Sequence, residues 1–127
     1  MGCNVSPYRG GVPRLVETRA LSTNIAAANT LYDFFVADDR CIVNITEISG
    51  ATTGVDRYVL NDGTIDDYFA TSNSSIFNDF VVPKAQGRLI ANVSDRAILL
   101  LLEKGERIRI GNASKAHTHT ATAYIYK

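Results

Sequence analysis

The stretch His117-Thr118-His119-Thr120-Ala121-Thr122-Ala123-Tyr124-Ile125-Tyr126 alternates without a break. His119, Ala121, Ala123 and Ile125 fall on one side; Thr118, Thr120, Thr122, Tyr124 and Tyr126 fall on the other. A repeat of two is that of an extended strand, whose successive side chains leave opposite faces, and Thr, Ile and Tyr suit a pleated, half-buried surface. The same repeat runs backward through the chain. Arg107-Ile108-Arg109-Ile110 alternates with its arginines outward, Leu89, Ala91 and Val93 share a face, and so do Cys41, Val43 and Ile45. Turn chemistry separates these runs, as at Asp62-Gly63 and Lys104-Gly105, where glycine takes positive φ without a Cβ clash. Strands are expected over 16–21, 31–37, 41–48, 55–61, 65–70, 76–82, 88–93, 97–103, 106–111 and 117–126, with one short helix over 23–29. Roughly eight to ten short strands at this spacing make an all-β protein, a jelly-roll-like sandwich of two antiparallel sheets.

Two features interrupt the pattern. Residues 1–19 read as an extended N-terminal arm ahead of a sandwich domain over 20–127, because Pro7, Gly10-Gly11 and Pro13 oppose both helix and central strand. Its basic and apolar side chains, Tyr8, Arg9, Val12, Arg14, Leu15 and Arg19, are the candidates for holding a partner, arginine by pairing with carboxylates. The run Ile98-Leu99-Leu100-Leu101-Leu102 is apolar on both faces, which calls for cover on both. Leaving several leucines in water would forgo roughly 1.5–3 kcal/mol each. Ile98, Leu100 and Leu102 are therefore expected to pack against the arm or another subunit.

Composition narrows the function. The 127 residues carry thirteen Lys+Arg and thirteen Asp+Glu, a formal charge of zero, which argues against a general nucleic-acid or anionic-membrane binder. Two cysteines cannot staple a secreted scaffold, which points to a reducing compartment. The apolar run at 97–102 is too short to cross a bilayer, and no secretory signal opens the chain. Met1-Gly2-Cys3-Asn4-Val5-Ser6 fits a permissive acylation pattern, and five Asn-x-Ser/Thr sequons are read as turn and strand chemistry.

Catalytic motifs are missing. His117 and His119 are the only histidines and, two apart on a strand, point the same way. That suits a metal pair, yet no carboxylate or cysteine nearby in sequence completes a tetrahedral set, so they read as strand residues. Asp62, Asp66 and Asp67 lack the closing glutamate of a calcium loop and read as an acidic turn. Cys41, at the head of an apolar strand, reads as a buried small hydrophobe. Neither a nucleophile elbow nor a phosphate loop occurs. No catalytic residue, cofactor or metal is implied, and a metal-dependent enzyme using His117 and His119 ranks last among the readings.

Leu31-Tyr32-Asp33-Phe34-Phe35-Val36 and Cys41-Ile42-Val43-Asn44-Ile45-Thr46-Glu47-Ile48-Ser49-Gly50, with the closing Glu103-Lys104-Gly105-Glu106-Arg107-Ile108-Arg109-Ile110 and the Thr-rich last strand, resemble the small jelly-roll structural proteins of tailed-phage virions. The resemblance spans roughly 20–126 and is one of pattern. It implies a capsid cement or decoration protein, a homotrimer bound to the major capsid protein or another virion protein, in the virion after assembly in the host cytoplasm. It implies no catalytic residue, no nucleic acid and no membrane. The alternative is a receptor- or glycan-binding fibre module using Tyr58, Tyr68, Tyr124 and Tyr126.

Overall fold

A computed structural model describes residues 12–50, 54–81, 96–111, 113 and 115–127, and the backbone of 89–94. They form ten strands: β1 (Leu15–Ile25), β2 (Leu31–Val36), β3 (Cys41–Ser49), β4 (Asp56–Asn61), β5 (Asp66–Asn73), β6 (Ile76–Asn78), β7 (Leu89–Ser94), β8 (Ala97–Leu102), β9 (Arg107–Gly111) and β10 (His117–Tyr126). The first sheet has the order β1-β10-β3-β8-β7 and the second β2-β9-β4-β5-β6. Every pairing is antiparallel. The chain changes sheet after β1, β2, β3, β6, β8 and β9, which is the wrapping of a jelly roll.

The alternation read from the sequence is the alternation of burial. Along β8 the even positions Ile98, Leu100 and Leu102 are fully buried and the odd ones half-buried. Those three lie in one core with Val43, Ile45, Ile108 and Ile110 from both sheets. The expectation that they pack against an arm or a second subunit is thus corrected: they fill the space between the sheets, and Leu99 and Leu101 carry the outer face. At the turn into β9, Gly105 takes φ +86 as expected, with its N–H donating to the Ala37 carbonyl at 2.8 Å.

Two boundaries also move. The expected helix over 23–29 is absent: Thr23, Asn24 and Ile25 pair with His119, Thr118 and His117, and Ile25 is buried. Burying that β-branched side chain in the sandwich outweighs weak local helix preference. The arm expected to reach residue 19 ends sooner, because β1 starts at Leu15. Arg14 and Lys127 exchange both backbone hydrogen bonds at 2.9 Å. The whole of β10 thereby gains a partner on that side, which satisfies its main-chain N–H and C=O groups. Arg19 belongs to the domain: it pairs with Glu17 at 2.9 Å and lies over the Phe35 ring, 5.1 Å from its centroid. Val12, Arg14 and Leu15 are exposed; Tyr8 and Arg9 lie outside the described residues.

Candidate functional site

Strands β4 and β10 face each other across the sandwich, one from each sheet. Asp56 and Tyr58 point inward from β4, His117 and His119 from β10. They meet at one point. His117 Nε2 lies 2.8 Å and His119 Nδ1 2.6 Å from the same atom, Asp56 Oδ2. Asp56, Tyr58 and His119 are fully buried, while the His117 side chain keeps 16% of its exposure.

The outer nitrogen of each imidazole is held as well. His117 Nδ1 donates to the Lys115 carbonyl at 2.9 Å, and His119 Nε2 and the Tyr58 hydroxyl are hydrogen-bonded at 2.5 Å. His119 Nδ1, although close to Asp56, is out of line for a hydrogen bond and has no other partner. Aromatic rings wall the cluster: Phe34 stands edge-on to His119 at 5.2 Å, and Phe77 and Phe69 flank Tyr58 at 5.3 and 6.1 Å. Gly50, just past β3, closes the remaining side. A Cβ there would fall 2.1 Å from His119 Nδ1 and 2.7 Å from Asp56 Oδ2.

The charges follow from these contacts. Burial works against an ionised Asp56, but His119 and His117 outweigh it and hold its carboxyl below the usual carboxylate range. Burial likewise opposes charge on His117, yet the Lys115 carbonyl and Asp56 outweigh it and raise its pKa. Acceptors face both of its nitrogens, which favours the protonated form of the imidazole beside the carboxylate. Burial pushes the Tyr58 phenol well above its ordinary range, so Tyr58 keeps its proton. Asp56, His117 and His119 are the one group of three acidic, histidine or cysteine side chains, among the described residues, whose ligating atoms converge, all within 4.8 Å.

Sequence reading placed the two histidines on one face but missed Asp56, which is sixty-one residues from His117. A signal existed. Asp56 and Tyr58 share the inward phase of β4 with Leu60, and the histidines share that of β10 with Ala121; titratable groups in core phase need a partner. Tyr58 is corrected as a ligand-facing aromatic, since it is buried. The other sequence candidates are spent locally. Asp62 Oδ1 accepts from the Thr64 N–H and hydroxyl and from the Ile65 N–H at 2.9–3.0 Å, while Asp66 meets Asn61 and Arg109. Cys41 is buried, and burial pushes its thiol up to about 11.

The outward faces of the two sheets differ in kind. On the second sheet Arg107 and Arg109 pair with Asp33 at 3.1 and 3.4 Å, Arg109 also with Asp66 at 3.4 Å, and Arg57 covers the Tyr68 ring. On the first sheet the cross-strand register sets Leu101, Ile42 and Tyr126 in one row, Leu99, Asn44, Tyr124 and Thr18 in the next, and Ala97, Thr46, Thr122 and Ala20 in the third. No member of these rows is charged.

No protein-family model, no curated protein and no solved structure matches the chain.

Proposed function

We propose that the chain is a non-catalytic structural subunit that associates with copies of itself, as a homotrimer, through the outward face of the first sheet. It serves as a cement or decoration protein bound to the major capsid protein, or another virion protein, of a tailed phage. The observation that carries the first part is the charge asymmetry. One face is laced with ion pairs, as suits water. Three adjoining cross-strand rows of the other mix Leu, Ile, Tyr, Thr, Asn and Ala without a charge, so that patch desolvates at little cost and puts no like charges together when identical copies meet. Head-to-tail contacts of this kind close into a ring, and the number three rests on the phage resemblance. The virion setting rests on the pattern shared with jelly-roll phage proteins. Val12, Leu15 and Val16, 83%, 52% and 54% exposed at the entry to β1, give apolar area beside that face for a shell partner.

Native mass spectrometry and sedimentation over the micromolar range test the association. A trimer is expected, and Tyr124→Arg, in the middle of the uncharged rows, is expected to give a folded monomer. A wild-type protein that stays monomeric throughout overturns the self-association. Mixed with undecorated phage shells, the intact chain is expected to bind and a variant carrying Val12→Ser, Leu15→Ser and Val16→Ser to lose binding; no binding by the intact chain rejects the virion role.

A further inference from the structure

We infer that Asp56, His117 and His119 form a binding site for a divalent first-row transition-metal cation, zinc above all, which would pin the two sheets together. Three ligands from two strands converge at one buried point, and their chemistry is specific. Two imidazole nitrogens and one carboxylate oxygen suit zinc and its neighbours in the first transition row, whereas calcium and magnesium take oxygen ligands. Each imidazole also carries the outer support that metal-ligating histidines need: the Lys115 carbonyl fixes His117 through Nδ1, and Tyr58 fixes His119 through Nε2. These partners orient the rings and leave His117 Nε2 and His119 Nδ1 facing the centre.

Two further observations point to a ligand. His119 Nδ1 is wholly buried, aimed into the cluster, and misses hydrogen-bond alignment with the carboxylate beside it. The ring edge is thus turned toward the point on which His117 and Asp56 also converge. The space there is kept clear by Gly50, whose missing Cβ would fill it. Ligand atoms on a tetrahedral zinc at about 2.0–2.1 Å lie roughly 3.3 Å apart. The nitrogens now lie 2.6 and 2.8 Å from Asp56 Oδ2, so admitting the ion asks each contact to open by about half an ångström or slightly more. Three protein ligands leave a fourth position, and the partial exposure of His117 opens the route by which an ion and a water would reach it.

The test uses the full chain, stripped with a chelator, desalted and titrated with zinc chloride by calorimetry, with bound metal counted by mass spectrometry. One zinc per chain and a rise in the unfolding temperature are expected. The cobalt-loaded protein should show visible d–d absorption that zinc displaces. His117→Gln changes a partly exposed side chain and should keep the fold; it and Asp56→Asn are expected to weaken zinc binding by at least about a hundredfold, more than the loss of an outer partner costs. Tyr58→Phe should weaken it by about tenfold. Absence of saturable zinc binding by the wild type overturns the site, as does equal binding by wild type and His117→Gln. Neither outcome touches the proposed assembly, which the oligomer measurements decide separately.

Discussion

Replacing Gly50 by alanine adds one methyl group at the point where the sheets are joined. The position has no left-handed φ, so an alanine backbone fits without strain and the effect is one of space alone. The new Cβ would sit 2.1 Å from His119 Nδ1, 2.7 Å from Asp56 Oδ2 and 2.8 Å from His119 Cε1. All are far inside van der Waals contact, and the atoms belong to rigid, buried groups. His119 cannot swing away freely, because Phe34 stands edge-on to it and Tyr58 holds its far nitrogen. Forcing a methylene-sized group into a packed core costs about 1–3 kcal/mol. Displacing the ring from Tyr58 leaves a buried hydroxyl without its partner, about 1–3 kcal/mol more. Gly50→Ala is therefore expected to destabilise the protein by roughly 2–6 kcal/mol, a large share of a typical domain's stability. Urea unfolding followed by circular dichroism reads this as a lower midpoint at unchanged slope. Removing the ring as well, in Gly50→Ala with His119→Ala, clears the space. The double variant should thus be more stable than the sum of its parts by about 1–3 kcal/mol. A single variant within about 0.5 kcal/mol of wild type, the range of an ordinary surface change, would refute the crowding at this point.

Burial along β8 makes a paired prediction: Leu100→Ala, in the core, should cost about 2–5 kcal/mol, whereas Leu99→Ala, on the uncharged outer face, should cost far less stability and instead weaken self-association in sedimentation. Cys41, its thiol pushed up to about 11 by burial, should resist alkylation by iodoacetamide at pH 8 in the native protein and react fully in urea. The same shift lowers stability as pH rises from about 9 to about 11. Over that interval the unfolded thiol has ionised and the native one has not, so unfolding is favoured; a urea midpoint that stays level across it would contradict the burial of this thiol.

The strands were legible because their signal is local. In β9, in β3 as far as Ile45 and in β10 beyond His119, every inward residue is apolar or small and every outward one is its neighbour in sequence, so period two alone assigns both faces. The ends were less legible for a reason that is not local. Thr23 to Ile25 read as a weak helix until β10 offers them a partner, and Leu15 to Arg19 read as an arm for the same reason. Likewise Ile98 to Leu102 show that both sides of β8 are apolar, but only the packing of the second sheet against one of them decides which side is the core.

The Asp56 cluster lies beyond reach of any single strand's pattern. His117 and His119 announce a shared direction, and Asp56 and Tyr58 announce another, but their meeting depends on the wrapping that sets β4 opposite β10. What each strand does reveal is an inconsistency: a titratable side chain in the phase reserved for Leu, Ile and Ala. Such a residue is expensive in a core unless something compensates it, so two inconsistencies in one fold predict each other. Gly50 completes the reasoning. Gly50 follows β3 without a left-handed φ, and a side chain there would take space that His119 and Asp56 occupy. Three departures from ordinary strand composition, in β4, β10 and the end of β3, thus have one cause, and it is the geometry of a single buried point.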